Sequence, residues 1–416
     1  MEQESFKVYS YRWVVLLAFM AVIVVNQLLW ITFAPITSNA ASYYGVSDLS
    51  IGLLSMSFMI VYLFVSIPAS WLIDTYGFRL AVGVGAVLTG VFGLTRGLLA
   101  ANYNLVLASQ IGIAIGQPFI LNAITRVAAR WFPIRERATA AGFGSLAMYL
   151  GIVLGLILTP FVVLRSSINT MLLAYGVVAV IGAVLFLALS REHPPTPACP
   201  PGQEERALVF DGLKQILRKK DFILLMVIFF IGLGVFNSVT TWIEDILRPR
   251  GFSITQAGVT GGLMVIGGVV GAVVLPTLSD HFRRRVPFIL LTLAASILGL
   301  VGVTYALGYP LLLAAAFTMG FFLLSAGPIG FQYGAEIAYP APEGTSNGLL
   351  LLMGQISGIL FIIGMDSFKN PATGSMTVPL LVLIGLMLAG LLLATQLKES
   401  PLLVGKQAPS AGDPVV

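Results

Sequence analysis

Charge is scarce in this sequence. Only 10% of its 416 residues are Asp, Glu, Lys or Arg, while 57% are hydrophobic, a balance that excludes an ordinary soluble globule and implies a polytopic membrane protein. Cysteine is nearly absent. The single Cys199, in a Pro-rich stretch, excludes an internal disulfide and any Cys-rich metal or iron–sulfur site. The two histidines, His193 and His281, fall in polar loops, so an intramembrane haem or zinc held by His is not expected. No HExxH occurs, and no Gly-rich run carries the Lys-Ser/Thr ending of a phosphate-cradling loop. Neither an enzyme nor a cofactor or metal is therefore expected. The first apolar span is too long for a signal-peptide core and lacks a small-residue cleavage site, so it is read as retained.

What charge there is lies unevenly. With both termini placed inside, 18 of the 23 Lys and Arg fall on the inner side, leaving Arg96, Arg165, Arg248, Arg250 and Lys369 outside or in outer halves. This is the positive-inside bias of a membrane protein. It accounts for the net charge of +5 without a nucleic-acid partner.

A bilayer core of about 30 Å takes about 20 apolar residues per helix. Twelve such windows are present, at 13–38, 50–73, 80–100, 104–130, 138–164, 169–190, 222–247, 256–279, 286–306, 309–338, 345–366 and 376–397. The expected organisation is an all-α membrane protein with a six-helix bundle over 1–190, a cytoplasmic linker over 191–221, a second six-helix bundle over 222–397, and a disordered cytoplasmic tail over 398–416. The linker is Pro-rich and then basic and amphipathic, with room for a short surface helix.

The halves repeat. "YGVSDLSIG" (44–52) and "RGFSITQAG" (250–258) share Gly, Ser and Gly at an offset that also carries Asp74 onto Asp280. "DTYGFR" (74–79) and "DHFRRR" (280–285) each lie between the second and third spans of a half. Two matched six-helix halves predict a transporter with a site near the midplane where they meet. These loops, together with "RWFPIRERATAAG" after the fourth span, resemble the major facilitator superfamily. Ser70 and Thr75 depart from that family's usual first loop, in which a Gly and a basic residue often stand. Longer stretches, "NQLLWITFAPIT", "GQPFILNAITRVAARWF", "GVFNSVTTWIEDIL" and "AEIAYPAPEGTSNGLLLLMGQISGILF", resemble the feline leukaemia virus subgroup C receptor-related branch. Its members move choline and ethanolamine and have been assigned to haem. The haem assignment transfers poorly, since no membrane His or Cys is present.

Polar side chains inside lipid are costly unless they face protein or water. Gln117 and Gln355 lie at the middle of spans four and eleven, and Trp30 and Asn237 within about one turn, ~5 Å, of the middle of spans one and seven. Their shared depth marks them as substrate-binding candidates, against the alternative that each simply packs or joins helices. The resemblance implies that Trp30, Gln117 and Gln355 surround a ligand. An indole face attracts quaternary ammonium. Asn237 stands where those relatives often have Tyr. Asn26 and Gln27, being adjacent, point to different faces, so at most one faces a cavity. Pro35 is expected to kink the outer end of span one. The Gly-rich runs "GIVLG" and "GVTGGLMVIGGVVGAVV" are expected to allow close helix contact.

Asp74, Gly77, Arg79, Arg135, Glu136, Arg137, Asp280 and Glu343 form an expected cytoplasmic latch. In it Asp74 meets the start of span eleven near Thr345 and Ser346, and Asp280 does likewise near Ala138. Glu336 is the best proton-relay candidate, against a salt bridge with Arg126 or Arg130. The expected function is alternating-access transport of a choline-like organic cation or polar metabolite by a monomer in the plasma membrane. Its partners are the small-molecule substrate and the bilayer, with a proton-coupled efflux pump and a non-transporting receptor or scaffold as rivals.

Overall fold

A computed structural model describes residues 8–196, 216–339 and 343–400, without the side chains of Ile134, Arg135, Ala138, Glu343 and Gly344. The amphipathic part of the expected linker, the bulk of the expected tail, and the latch side chains of Arg135 and Glu343 thus lie outside the described residues. Everything regular within them is helical: α1 (Tyr11–Ile31), α2 (Thr37–Tyr44), α3 (Asp48–Tyr76), α4 (Phe78–Leu98), α5 (Tyr103–Leu121), α6 (Ile124–Trp131), α7 (Ile134–Arg165), α8 (Ile168–Leu189), α9 (Lys220–Thr241), α10 (Ile243–Leu247), α11 (Ile254–Phe282), α12 (Val286–Tyr305), α13 (Tyr309–Ala338), α14 (Glu343–Ser367) and α15 (Thr377–Ala394). Twelve helical spans are long and apolar enough to cross a membrane.

Three of the expected spans are broken, span one near its expected kink. Span one stops at Ile31 and resumes through a 3-10 turn, Ala34–Ile36, into α2. Pro35 lacks the N–H that would bond the Ile31 carbonyl, and Thr32 Oγ1 donates to Leu28 O at 2.8 Å. Span four breaks at Asn122–Ala123, just after Pro118. Span seven breaks at Trp242, between α9 and α10, where no proline accounts for it.

The chain separates into two compact units. The first comprises Met1–Ala207 with Thr241–Gly262, the second Leu208–Thr240 with Leu263–Val416. The core of the first gathers Phe19, Ile23, Phe78, Val82, Trp131, Phe132 and Phe186. Its helices approach until backbones touch. A Cβ on Gly85 would stand 2.7 Å from Gly116 O and one on Gly116 2.7 Å from Gly85 O, while Gly151 abuts Val24 O, the close contact expected of "GIVLG". In the second unit Gly299 packs on the Met319 backbone, and Gly320 on that of Met264.

The loops between the second and third spans of each half are capped alike. Glu192 accepts from Phe78 N at 3.2 Å and Arg79 N at 2.7 Å, and Glu399 accepts from Arg285 N and Val286 N at 3.0 Å each. A carboxylate at a helix N-terminus pairs its unused N–H groups and its positive pole. The matched donors fall one residue later in the second copy than the shared aspartates do, so that loop carries one extra residue. Its turn is made by Arg283 at φ 52, whereas Gly77 at φ 90 turns the first.

Gly176→Ala should destabilise the protein by about 1–3 kcal/mol, because its Cβ would meet Gly93 O at 2.5 Å and Leu94 Cα at 2.8 Å. Gly364→Ala, with no atom within 4 Å of the new Cβ, should leave the thermal midpoint in detergent unchanged.

Candidate functional site

In the first unit the break in span one is stitched carbonyl by carbonyl. Leu28 O takes the Thr32 hydroxyl. Leu29 O takes Arg96 Nη1 at 3.1 Å and Gln110 Nε2 at 3.2 Å. Trp30 O takes Ser55 Oγ at 3.4 Å, and the Trp30 indole N–H donates to Ser55 O at 3.1 Å. Asn26 and Gln27, of which at most one was expected to face a cavity, are both fully buried and bonded. Asn26 donates to Thr89 Oγ1 at 3.1 Å, and Gln27 to Asn26 Oδ1 at 3.4 Å. Gln117, on α5, is buried, and its amide has no hydrogen bond among the described residues.

Below Gln117, Asn122 acts as a hub at the break in span four. It accepts from Tyr62 at 2.9 Å and donates to Ser66 Oγ at 3.1 Å and Ser70 Oγ at 3.0 Å. Sequence reasoning passed over this group and over Arg96 with Gln110. The signals were there: an Arg inside the apolar "GVFGLTRGLLA", a second Gln seven residues before Gln117, and serines four apart on span two.

The C-terminal end of span seven belongs to this same unit and is fastened to spans one and two. Ser38 N and Oγ donate to the Glu244 carboxylate at 3.0 and 2.7 Å. Ser38 and Glu244 are 206 apart, as are Asp74 and Asp280, so repeat-equivalent positions meet. Arg248 bridges Asp245 at 2.8 Å and Asp48 at 3.1 Å, with Glu244 at 3.8 Å. Burial pulls the Arg248 guanidinium down, but the three carboxylates prevail and raise it. Trp242 packs on Gly52, where a Cβ would lie 2.8 Å from the indole.

In the second unit Asn237 and Gln355 come to neighbouring positions. The half-buried Asn237 donates to Gly354 O at 3.2 Å, and the half-buried Gln355 amide has no hydrogen bond among the described residues.

Among the expected latch residues with described side chains, several have partners within their own unit. Asp74 is exposed. Gly77 lies against the Glu192 carboxylate, which Arg79 holds through its backbone N–H. Glu136 pairs with Arg12 at 3.0 Å, and Arg137 Nε donates to Phe132 O at 3.3 Å. Asp280, expected near Ala138, is paired with Arg285. Glu336, expected to relay protons or to bridge Arg126 or Arg130, takes Arg285 Nη2 at 3.0 Å, with both side chains buried. Arg285 also donates to Ser279 Oγ at 3.2 Å. Burial lowers the Arg285 pKa, yet bonds to Asp280 and Glu336 more than offset it and keep the guanidinium charged. The sequence hid this partner because Arg285 lies 51 residues away.

Residues 15–362 match the model of the Major Facilitator Superfamily. The chain is 31% identical to "Solute carrier family 49 member A3" of Xenopus tropicalis over 88% of its own length and 80% of that protein. It is likewise 31% identical to "Choline/ethanolamine transporter FLVCR1" of Felis catus, over 92% of its length and 72% of that protein. A bacterial homologue of the human lysosomal transporter Spinster superposes with a TM-score of 0.78, covering 97% of this chain and all of that one at 17% identity, a likeness of fold alone.

Glu336→Gln should lower the thermal midpoint, with a loss of about 1–3 kcal/mol from the broken charged hydrogen bonds. A variant with unchanged stability but no transport would instead identify Glu336 as a proton carrier.

Proposed function

Since the chain belongs to the Major Facilitator Superfamily, and is related within it to the solute carrier family 49 and FLVCR choline/ethanolamine transporters, we propose that it moves a choline-like organic cation or small polar metabolite by alternating access. It is a multi-pass membrane transporter and not an enzyme. Trp30, Gln117, Asn237 and Gln355 are the proposed binding side chains. One observation carries this reading: deep in apolar spans, the Gln117 and Gln355 amides make no hydrogen bond among the described residues, while the one polar edge of Trp30 is already used by Ser55. An amide left unpaired at that depth is costly unless water or a ligand reaches it. Neutral amides suit a hydroxyl, and an indole face suits an ammonium group.

Uniport or cation-gradient-driven movement fits better than proton-coupled efflux, because Glu336 is tied to Arg285. The distribution of Lys and Arg supports cytoplasmic placement of both termini, and a monomer in the plasma membrane belongs to the same proposal.

The test is a thermal-shift panel on purified protein with choline, ethanolamine, other amines, vitamins and carboxylates. A preferred ligand at 100 times its Kd should stabilise by about 2.7 kcal/mol, and Trp30→Ala should abolish that shift. A carboxylate giving the largest shift, or a full choline shift in Trp30→Ala, would overturn the reading. Flux into proteoliposomes should be the same with and without an imposed pH gradient. An epitope tag at either terminus should be reached by antibody only after cells are permeabilised.

A further inference from the structure

Arg96 is fully buried in the first unit, and no carboxylate pairs with it among the described residues. Its Nη1 donates to Leu29 O at 3.1 Å and also to Gln110 Oε1, Gln110 Nε2 donates to the same Leu29 O at 3.2 Å, and the guanidinium stands 5.6 Å from the centre of the Phe33 ring. Nε and Nη2 have neither a hydrogen-bond partner nor contact with solvent. A cation held in this way is costly, and a leucine would fill the space without that cost. The position therefore calls for what only a charged fork supplies.

The C-terminal end of α1 explains the need. A helix end exposes unpaired carbonyls and a negative pole. The last turn of α1 contains no basic residue, and Pro35 prevents the helix from running on. Arg96 supplies the missing cation from α4, and Gln110 supplies a second donor from α5. The next residue, Trp30, exchanges two hydrogen bonds with Ser55, at 3.1 and 3.4 Å. With Thr32 on Leu28 O, three successive carbonyls are fixed by groups from four different helical segments or turns. The backbone at residues 28–30 then has no freedom to rotate the indole.

We propose that Arg96, with Gln110, is a positioning residue for substrate recognition. It clamps the broken end of α1 so that Trp30 offers its ring face and withholds its N–H. The consequence for specificity rests on the reading of Trp30 as a binding residue: a committed donor leaves only the π face, which favours an ammonium group over an uncharged group of the same shape.

The test uses the full-length protein carrying 5-fluorotryptophan, with the Trp30 resonance identified by its loss in Trp30→Phe. In Arg96→Lys, which keeps the charge but not the fork, and in Gln110→Leu, the Trp30 resonance should move while the other four tryptophan signals stay in place. In proteoliposomes the wild type should be inhibited about tenfold more tightly by choline than by its neutral isostere 3,3-dimethyl-1-butanol, and both variants should reduce that ratio below about threefold. An unmoved Trp30 resonance in both variants, or Arg96→Lys with full selectivity, would overturn the proposal. If the wild type fails to prefer choline, the cation reading of the preceding subsection falls, while the Trp30 resonance still decides whether Arg96 positions the indole.

Discussion

A backbone carbonyl inside a bilayer has no water to turn to, and this constraint organises the first unit. Span one is broken ahead of Pro35, toward the end of its apolar run, which leaves carbonyls that an unbroken helix would have paired. Thr32, Arg96, Gln110 and Ser55 answer them in turn. Each answer comes from a side chain that would be costly in lipid for its own sake, so the break and its polar neighbours are one feature. The indole of Trp30 lies within it, and its orientation follows from the same bonds.

The same logic explains how charge is used elsewhere. Glu192 and Glu399 sit at helix N-termini in equivalent loops, where a carboxylate completes a helix end. Glu336 is buried but shared with Arg285, which also holds Asp280, so neither carboxylate is left uncompensated. At the outer end, Arg248 serves three carboxylates, one of which also caps α2 through Ser38. These acids at the ends of spans are therefore occupied in closing helices and loops. The groups proposed to meet a substrate are neutral amides and an aromatic face, which would suit a small polar cation better than an anion.

The repeat is carried by backbone geometry as much as by residue identity. The second inner loop is one residue longer than the first and turns on Arg283 where the other turns on Gly77, yet both deliver two N–H groups to a glutamate from a distant helix end. A left-handed turn at a non-glycine residue costs about 1–2 kcal/mol, which the cap and the Arg285 bonds offset. The outer contact between Ser38 and Glu244 joins positions that the repeat makes equivalent.

By itself the sequence determined the class of solvent and the count of spans. Helices that must satisfy their own backbones in lipid announce themselves as apolar runs of fixed length, and all twelve were legible with ends shifted by a few residues. The offset between the halves, the kink at Pro35 and the tight contacts at Gly151 were legible too, because proline and glycine have local meanings. Only the tertiary structure decided who bonds to whom. Arg96 reaches Leu29 across 67 residues, Glu336 reaches Arg285 across 51 and Glu192 reaches Arg79 across 113. A side chain's partner is set by how helices pack, and no period along one chain encodes which face meets which.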